Sequence, residues 1–191
     1  RSSDLGHTWA PDISFHDGIY YLYYSVSAFG KNTSCIGVAT NTTLDPANPA
    51  FRWVDHGMVV QSVPGRDMWN AIDPNLAIDE AGTPWLVFGS FWDGMKLAKL
   101  DKSLTRLSDP QEWHTVAARP RDYYTEETSA GEGAIEAPFI IKRDRYYWLF
   151  VSFDFCCRGL ESNYRVMVGR SEKITGPYLD RNGQPMTHGG G

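Results

Sequence analysis

The sequence predicts an all-β fold assembled from copies of one antiparallel unit, and three observations carry that reading. The segments WAPDISFHDGIYYLYYS, AIDPNLAIDEAGTPWLVFGSF and AIEAPFIIKRDRYYWLFVSF each set a proline near the start of an apolar strand, at Pro11, Pro74 and Pro138. The three prolines stand 63 and 64 residues apart. The strands between them are rich in aromatic residues and carry no helical punctuation. A fixed period of this length in such strands is the signature of the four-stranded blades of a β-propeller. Three units, approximately residues 9–70, 71–133 and 134–191, fill the chain. Propellers close with about four to eight blades, so the expectation is a partial ring, with further units outside this sequence on both sides.

Each unit reads as an inner strand after its proline, a turn, a strongly aromatic second strand, and weaker strands toward the blade's edge. In the first unit the turn is His16-Asp17-Gly18, the second strand lies in IYYLYYS, CIGVAT (35–40) alternates as a third strand, and FRWVDHG (51–57) as a fourth. The second unit turns at Glu80-Ala81-Gly82 and continues through PWLVF, MKLAKL (95–100) and WHTVA (113–117). The third turns between Lys142 and Arg145 and continues through RYYWLF and YRVMVGRS (164–171). The connections 40–51, 101–113 and 171–185 are rich in Asp, Pro, Asn and Arg, without a domain boundary. Segment 122–134, DYYTEETSAGEGA, is long for a blade connection and leads directly to Glu136, as loops that shape a site often do.

Composition narrows the function. The net charge is −5 with scattered basic residues, which excludes the electrostatic footprint of a nucleic-acid or anionic-membrane binder. No stretch approaches the roughly 18 apolar residues of a membrane span, and no charged segment followed by an apolar one opens the chain. The chain begins at Arg1, so the expectation is a removed leader or a longer N-terminal sequence. Seven Trp and ten Tyr mainly build the packing between blades, with some rings left for a ligand. The three cysteines cannot form a disulfide framework. The adjacent Cys156 and Cys157 read as buried thiols where a strand meets a loop, with a vicinal disulfide as the alternative. His7, His16, His56, His114 and His188 form no ligand cluster, so no metal is assigned within the chain. His16 and His56 are expected in turns or in solvent.

Two acids stand beside the repeated prolines. Asp73 lies in WNAIDPN, where a turn or capping role competes with a catalytic one. Glu136 lies in GEGAIEAPFI, flanked by Ile135, Ala137 and Pro138, and partial burial there would raise its carboxyl pKa toward the range of a general acid. The ring of a propeller brings the starts of inner strands to one end of its axis. Two carboxylates from neighbouring blades would then face one cavity, as glycoside hydrolysis requires.

Taken together, WAPDISFHDGIYYLYYS, NAIDPN, FGSFWDGMKL, AIEAPFI, FCCRG and VGRSEKITGPY with the terminal GGG resemble the endo-α-1,5-L-arabinanases of glycoside hydrolase family 43. The resemblance runs through nearly all 191 residues. It implies a five-bladed propeller that cleaves linear arabinan or arabino-oligosaccharides with inversion, secreted and monomeric when complete. It also implies that Glu136 is the general acid and that Asp73 tunes its pKa. Asn70, Ala71, Ile72, Asp73, Ser90, Phe91 and Trp92 would line the sugar subsites, with Gly30 at the margin and Trp92 and Phe91 stacking on furanose rings.

The family's general base is an aspartate on the blade before the WAPD motif, and is expected upstream of Arg1. Asp4 and Asp12 are the acids near that end, and Asp12 follows its proline where the others precede theirs. The last blade of the family supplies a histidine to a central metal ion, calcium, which the resemblance places in the complete propeller. The 191-residue chain alone is therefore expected to be inactive. Competing readings are an exo-acting arabinofuranosidase or β-xylosidase of the same propeller type, and a carbohydrate-binding propeller without catalysis.

Overall fold

Three antiparallel sheets follow one another along the chain, as the proline repeat predicts. A computed structural model describes residues 6–191. The first sheet holds β1 (His7–His16), β2 (Ile19–Ser27), β3 (Ser34–Asn41) and β4 (Val54–Ser62) in that spatial order. The second holds β5 (Asn75–Ile78), β6 (Pro84–Phe88), β7 (Met95–Lys99) and β8 (Trp113–Ala117), again in order. The third holds β9 (Ile135–Arg143), β10 (Tyr146–Phe153) and β11 (Arg165–Ser171). Its outer edge is continued by Leu179, which exchanges backbone hydrogen bonds of 2.9 and 3.0 Å with Arg170. The sheets are blades of a partial propeller, with two short 3₁₀ turns among the described residues.

Local chemistry explains the turns. Asp17 and Gly18 join β1 to β2 with φ of 48° and 81°, the left-handed pair that a two-residue hairpin needs. In the two-residue turn before β10, Asp144 alone is left-handed, at φ 53°. The second unit turns more broadly, with the Asp79 carboxylate accepting the N–H groups of Ala81 and Thr83. The predicted fourth strand of the first blade lies later than expected, at Val54–Ser62 instead of 51–57. Residues 48–51 turn instead, through the Asn48 carbonyl and side chain.

The middle blade is packed on both faces, so β6 is buried at every residue and reads as a continuous apolar run. Tyr21, Tyr23, Ile36 and Val38 pack against Leu86, Phe88, Ala98 and Leu100 on one side. Trp85, Val87 and Leu97 pack against Tyr147, Leu149, Val151, Tyr178 and Met186 on the other. The outward faces of the first and third blades leave Ile13, Phe15, Phe139, Ile141 and Val166 exposed.

A polar clip recurs between inner strands. The Asp12 carboxylate accepts the Leu76 N–H (3.2 Å) and the Asn75 side-chain NH2 (3.2 Å). Asn75 stands one blade on at the same distance from its proline, and its Oδ1 accepts the Ile140 N–H at 2.9 Å. Asp12 is therefore an inter-blade fastening.

Candidate active site

The inner strand of each blade opens with the same irregularity. Ala10, Asp73 and Ala137, each directly before its proline, have φ of 44°, 56° and 53°. This left-handed conformation costs a non-glycine residue about 1–3 kcal/mol. In the first and third blades the pairing slips there, so that two residues oppose one on the neighbouring strand. The second blade brackets Asp73 and Pro74 in the same way, between the Gly89 N–H bond to the Ile72 carbonyl and the Asn75–Val87 pair. A β-bulge of this kind turns the strand and re-aims the side chains beside it.

The bulge separates two directions. Trp9, Ile72 and Glu136, each two residues before its proline, line one cleft of about 410 Å³. The next residue points along the ring instead, and the Asp73 carboxylate accepts the Ala137 N–H at 3.0 Å. Asp73 and Glu136 thus occupy successive positions of the repeat, not equivalent ones. Asp73 fastens the peptide that follows Glu136, while its own N–H donates to the Ser25 hydroxyl at 3.1 Å.

Glu136 accepts a hydrogen bond on each oxygen, from the Ser90 hydroxyl (3.0 Å) and the Tyr164 hydroxyl (2.9 Å). Ser90 also pairs with Glu136 as a β-bridge, and the Phe91 N–H donates to the Ile135 carbonyl at 2.7 Å. The Asp73 carboxyl is pushed up to about 7, first by burial and then by the charge of Glu136, with the Ala137 N–H opposing. Asp73 therefore holds its own proton well above the usual carboxylate range.

The predicted subsite residues divide. Gly30, Asn70, Ile72, Ser90, Phe91 and Trp92 line the cleft with Glu136. Asn70 is buried and its Oδ1 accepts the Ser34 hydroxyl at 2.7 Å, so its NH2 is the group it can offer a sugar hydroxyl. Ala71 is wholly buried between the first two blades and does not reach the cleft. Trp92 departs from its expected role as a stacking platform. It is 3% exposed, and its indole N–H donates to the Glu127 carbonyl at 2.8 Å. Its work is to anchor the loop 122–134, which Arg121 also holds through the carbonyls of Glu126, Ser129 and Ala130. Phe91 does face the cleft, tilted against Phe155 with ring centres 6.2 Å apart.

Several cleft residues escaped the sequence reading. Trp9, Phe29 and Phe155 line it. The signal for Trp9 was its place two before the repeated proline, and the phenylalanines both follow the second strand of their blades. Tyr164 left no such signal. Cys156 and Cys157 are joined as a disulfide and also line the cleft, which corrects the expectation of buried thiols: adjacent residues leaving a strand face solvent, not core. His16 ends β1 instead of sitting in the turn, with its ring 3.3 Å from Asp17. His56 is exposed and shares a hydrogen bond with Thr40. Asp4 lies outside the described residues.

The chain is similar to known proteins. Residues 1–190 match the model of glycosyl hydrolases family 43. The chain is 56% identical over 186 residues to the extracellular exo-α-(1→5)-L-arabinofuranosidase of Cellvibrio japonicus, covering 97% of this chain and 54% of that protein. It is 48% identical over 183 residues to the extracellular endo-α-(1→5)-L-arabinanase 1 of Bacillus subtilis, covering 96% and 52%. The structure of a Cellvibrio cellulosa α-L-arabinanase complexed with arabinohexaose superposes with a TM-score of 0.95 at 55% identity, covering 97% of this chain and 59% of that one. The chain spans about half the length of the curated relatives it matches.

Proposed function

Because the chain belongs to glycosyl hydrolases family 43, we propose that it forms the acid-bearing part of a secreted enzyme that hydrolyses the α-1,5-L-arabinofuranosidic bonds of arabinan. The observation that carries this is the placement of Glu136. Its carboxyl lines the cleft, hydroxyls reach both oxygens, and Asp73 stands behind it on the Ala137 peptide. The substrate and the secretion follow relatives named as extracellular and as acting on α-(1→5)-L-arabinan or its ends. The bound arabinohexaose of a similar structure adds to the substrate assignment.

In this reaction Glu136 gives its proton to the departing O5 as the C1–O5 bond breaks and its electrons move to that oxygen. A second carboxylate takes a proton from a water that attacks C1 from the opposite face, which inverts the anomeric centre. Asp73 accepts the Ala137 N–H and so fixes the peptide that follows Glu136. Asp154 is the other carboxylate of the cleft, and Arg119 (2.7 Å) and Arg165 (3.0 Å) neutralise it. Asp12 is committed to the inter-blade clip. We therefore assign the base to sequence outside the described residues. Among the described residues no three His, Cys, Asp or Glu side chains converge on a metal position. They do not by themselves fit the central ion that the resemblance implies, and no step runs through one.

Exo action is the second reading, favoured by the anchored loop 122–134, whose Ala130 and Gly131 border the cleft. The test is release of reducing ends from linear α-1,5-arabinan by the full-length protein and by its Glu136→Gln variant, with product lengths recorded. Release that depends on Glu136 supports the assignment, with mixed oligomers marking endo action and a single short product exo action. Binding without release would make the propeller a carbohydrate-binding module.

A further inference from the structure

The Cys156–Cys157 disulfide has no stabilising task of the usual kind. A disulfide stabilises chiefly by closing a long loop in the unfolded chain, and this one joins neighbours. Nor does it fill a core, since Cys157 is exposed and Cys156 half-buried on the wall of the cleft. Other contacts already hold its loop. The Phe155 N–H donates to Asn163 Oδ1 (3.0 Å), the Asn163 N–H returns to the Phe155 carbonyl (3.1 Å), and the Arg158 N–H donates to the Ser162 hydroxyl (3.0 Å). What the bond changes is the surface. Two mobile thiols with S–H donors become one fixed patch of polarisable sulfur without a donor. Phe155, the residue before it, lines the same cleft, and the Arg158 guanidinium sits 3.9 Å from the centre of its ring.

A furanose ring offers a matching partner, a C–H face beside a hydroxylated edge. We propose that the Cys156–Cys157 disulfide and Phe155 form the apolar platform of a sugar subsite in the Glu136 cleft, receiving the C–H face of an arabinofuranosyl residue while Arg158 meets its hydroxyls. This deepens the arabinan reading of the same cleft and rests on it. Sulfur and aromatic carbon together remove apolar area from water and make dispersion contacts that thiols, free to rotate and hydrated, do not. Only the oxidised protein has the complete subsite.

The test measures arabinohexaose binding by calorimetry in the full-length protein carrying Glu136→Gln, so that binding is read without turnover. If this protein with its disulfide intact binds no arabinohexaose, the arabinan reading itself falls. If it binds, adding Cys156→Ser and Cys157→Ser is expected to weaken affinity about fivefold to tenfold, and unchanged affinity overturns the platform. Should the serine variant fail to fold, reduction of the folded protein by a phosphine takes its place; Cys35, the third cysteine of the chain, is already free. Tyr164 follows this loop and touches Glu136, so the pH profile of kcat is compared in the otherwise unmodified enzyme with and without the two serines. Coincident profiles support a binding platform. A displaced profile means the disulfide acts through Tyr164 on the acid, and overturns the proposal.

Discussion

Replacing Asp73 by Asn should make the protein more stable in mild alkali while making it a worse catalyst. The Asp73 carboxyl is raised from its ordinary 3.8 to about 7. Between those values the folded state holds a proton that the unfolded state has released, so stability falls as pH rises through that window. Integrated from pH 5 to pH 8, the shift amounts to about 2–3 kcal/mol lost by the native enzyme at roughly 1.4 kcal/mol per unit. Asparagine carries no charge, and its Oδ1 still accepts the Ala137 N–H. The variant should therefore match the native enzyme near pH 5 and exceed it by about 2–3 kcal/mol at pH 8. Urea unfolding of both proteins at the two pH values reads this directly. Turnover should fall about 100-fold, since an amide behind the general acid cannot exchange a proton as the Asp73 carboxyl does. A stability difference that does not change with pH, or a variant less stable at pH 8, would refute the argument that burial and Glu136 raise Asp73.

Glu136→Gln should lower kcat about 10²–10⁴-fold on arabinan with KM nearly unchanged, because an amide cannot protonate the leaving oxygen; a fall in affinity alone would contradict the acid role. Asn75→Ala leaves the buried Ile140 N–H unpaired and removes a donor from Asp12, costing about 2–3 kcal/mol and lowering Tm by about 5–10 °C in a thermal scan. Trp92→Phe removes the hydrogen bond to Glu127 and should speed proteolytic cleavage within 122–134, with any change in product length showing that the anchored loop sets the mode of action. The 191-residue chain by itself, with Ile13, Phe15, Phe139, Ile141 and Val166 exposed on its two outer faces, should self-associate in sedimentation, and a monodisperse monomer would contradict that.

The candidate site was partly legible because half of it is written in the repeat. Residues two before each proline face the cleft; Glu136 stands out in the sequence as an acid beside its proline, Ile72 is reached only through the family resemblance, and Trp9 was findable by the repeat. The other half depends on contacts between distant segments. Tyr164 meets Glu136 from 28 residues away and no local pattern marks it; Ser90, 46 residues away, is marked only by the family resemblance. Trp92 illustrates the limit: an aromatic beside a site suits stacking or anchoring equally well in a sequence, and only the position of the Glu127 carbonyl decides between them. The same holds for the carboxylates: Glu136 is half-buried as its neighbours predict, whereas the raised carboxyl of Asp73 depends on burial and on the charge of Glu136 in the next blade.

The sequence by itself determined the sheets, their order and most of their turns. Alternation, proline spacing and Asp-Gly pairs are local constraints that hold whichever neighbours the strands meet. It also determined which residues pack between blades, since the aromatic strands have nowhere else to bury their rings. The tertiary structure decided where each acid points. A bulge of two residues against one sends Glu136 into the cleft and Asp73 along the ring. Side-chain direction reverses with each residue of a strand, so a single residue of register, which no composition or period resolves, separates an acid that faces the cleft from one that fastens the backbone behind it.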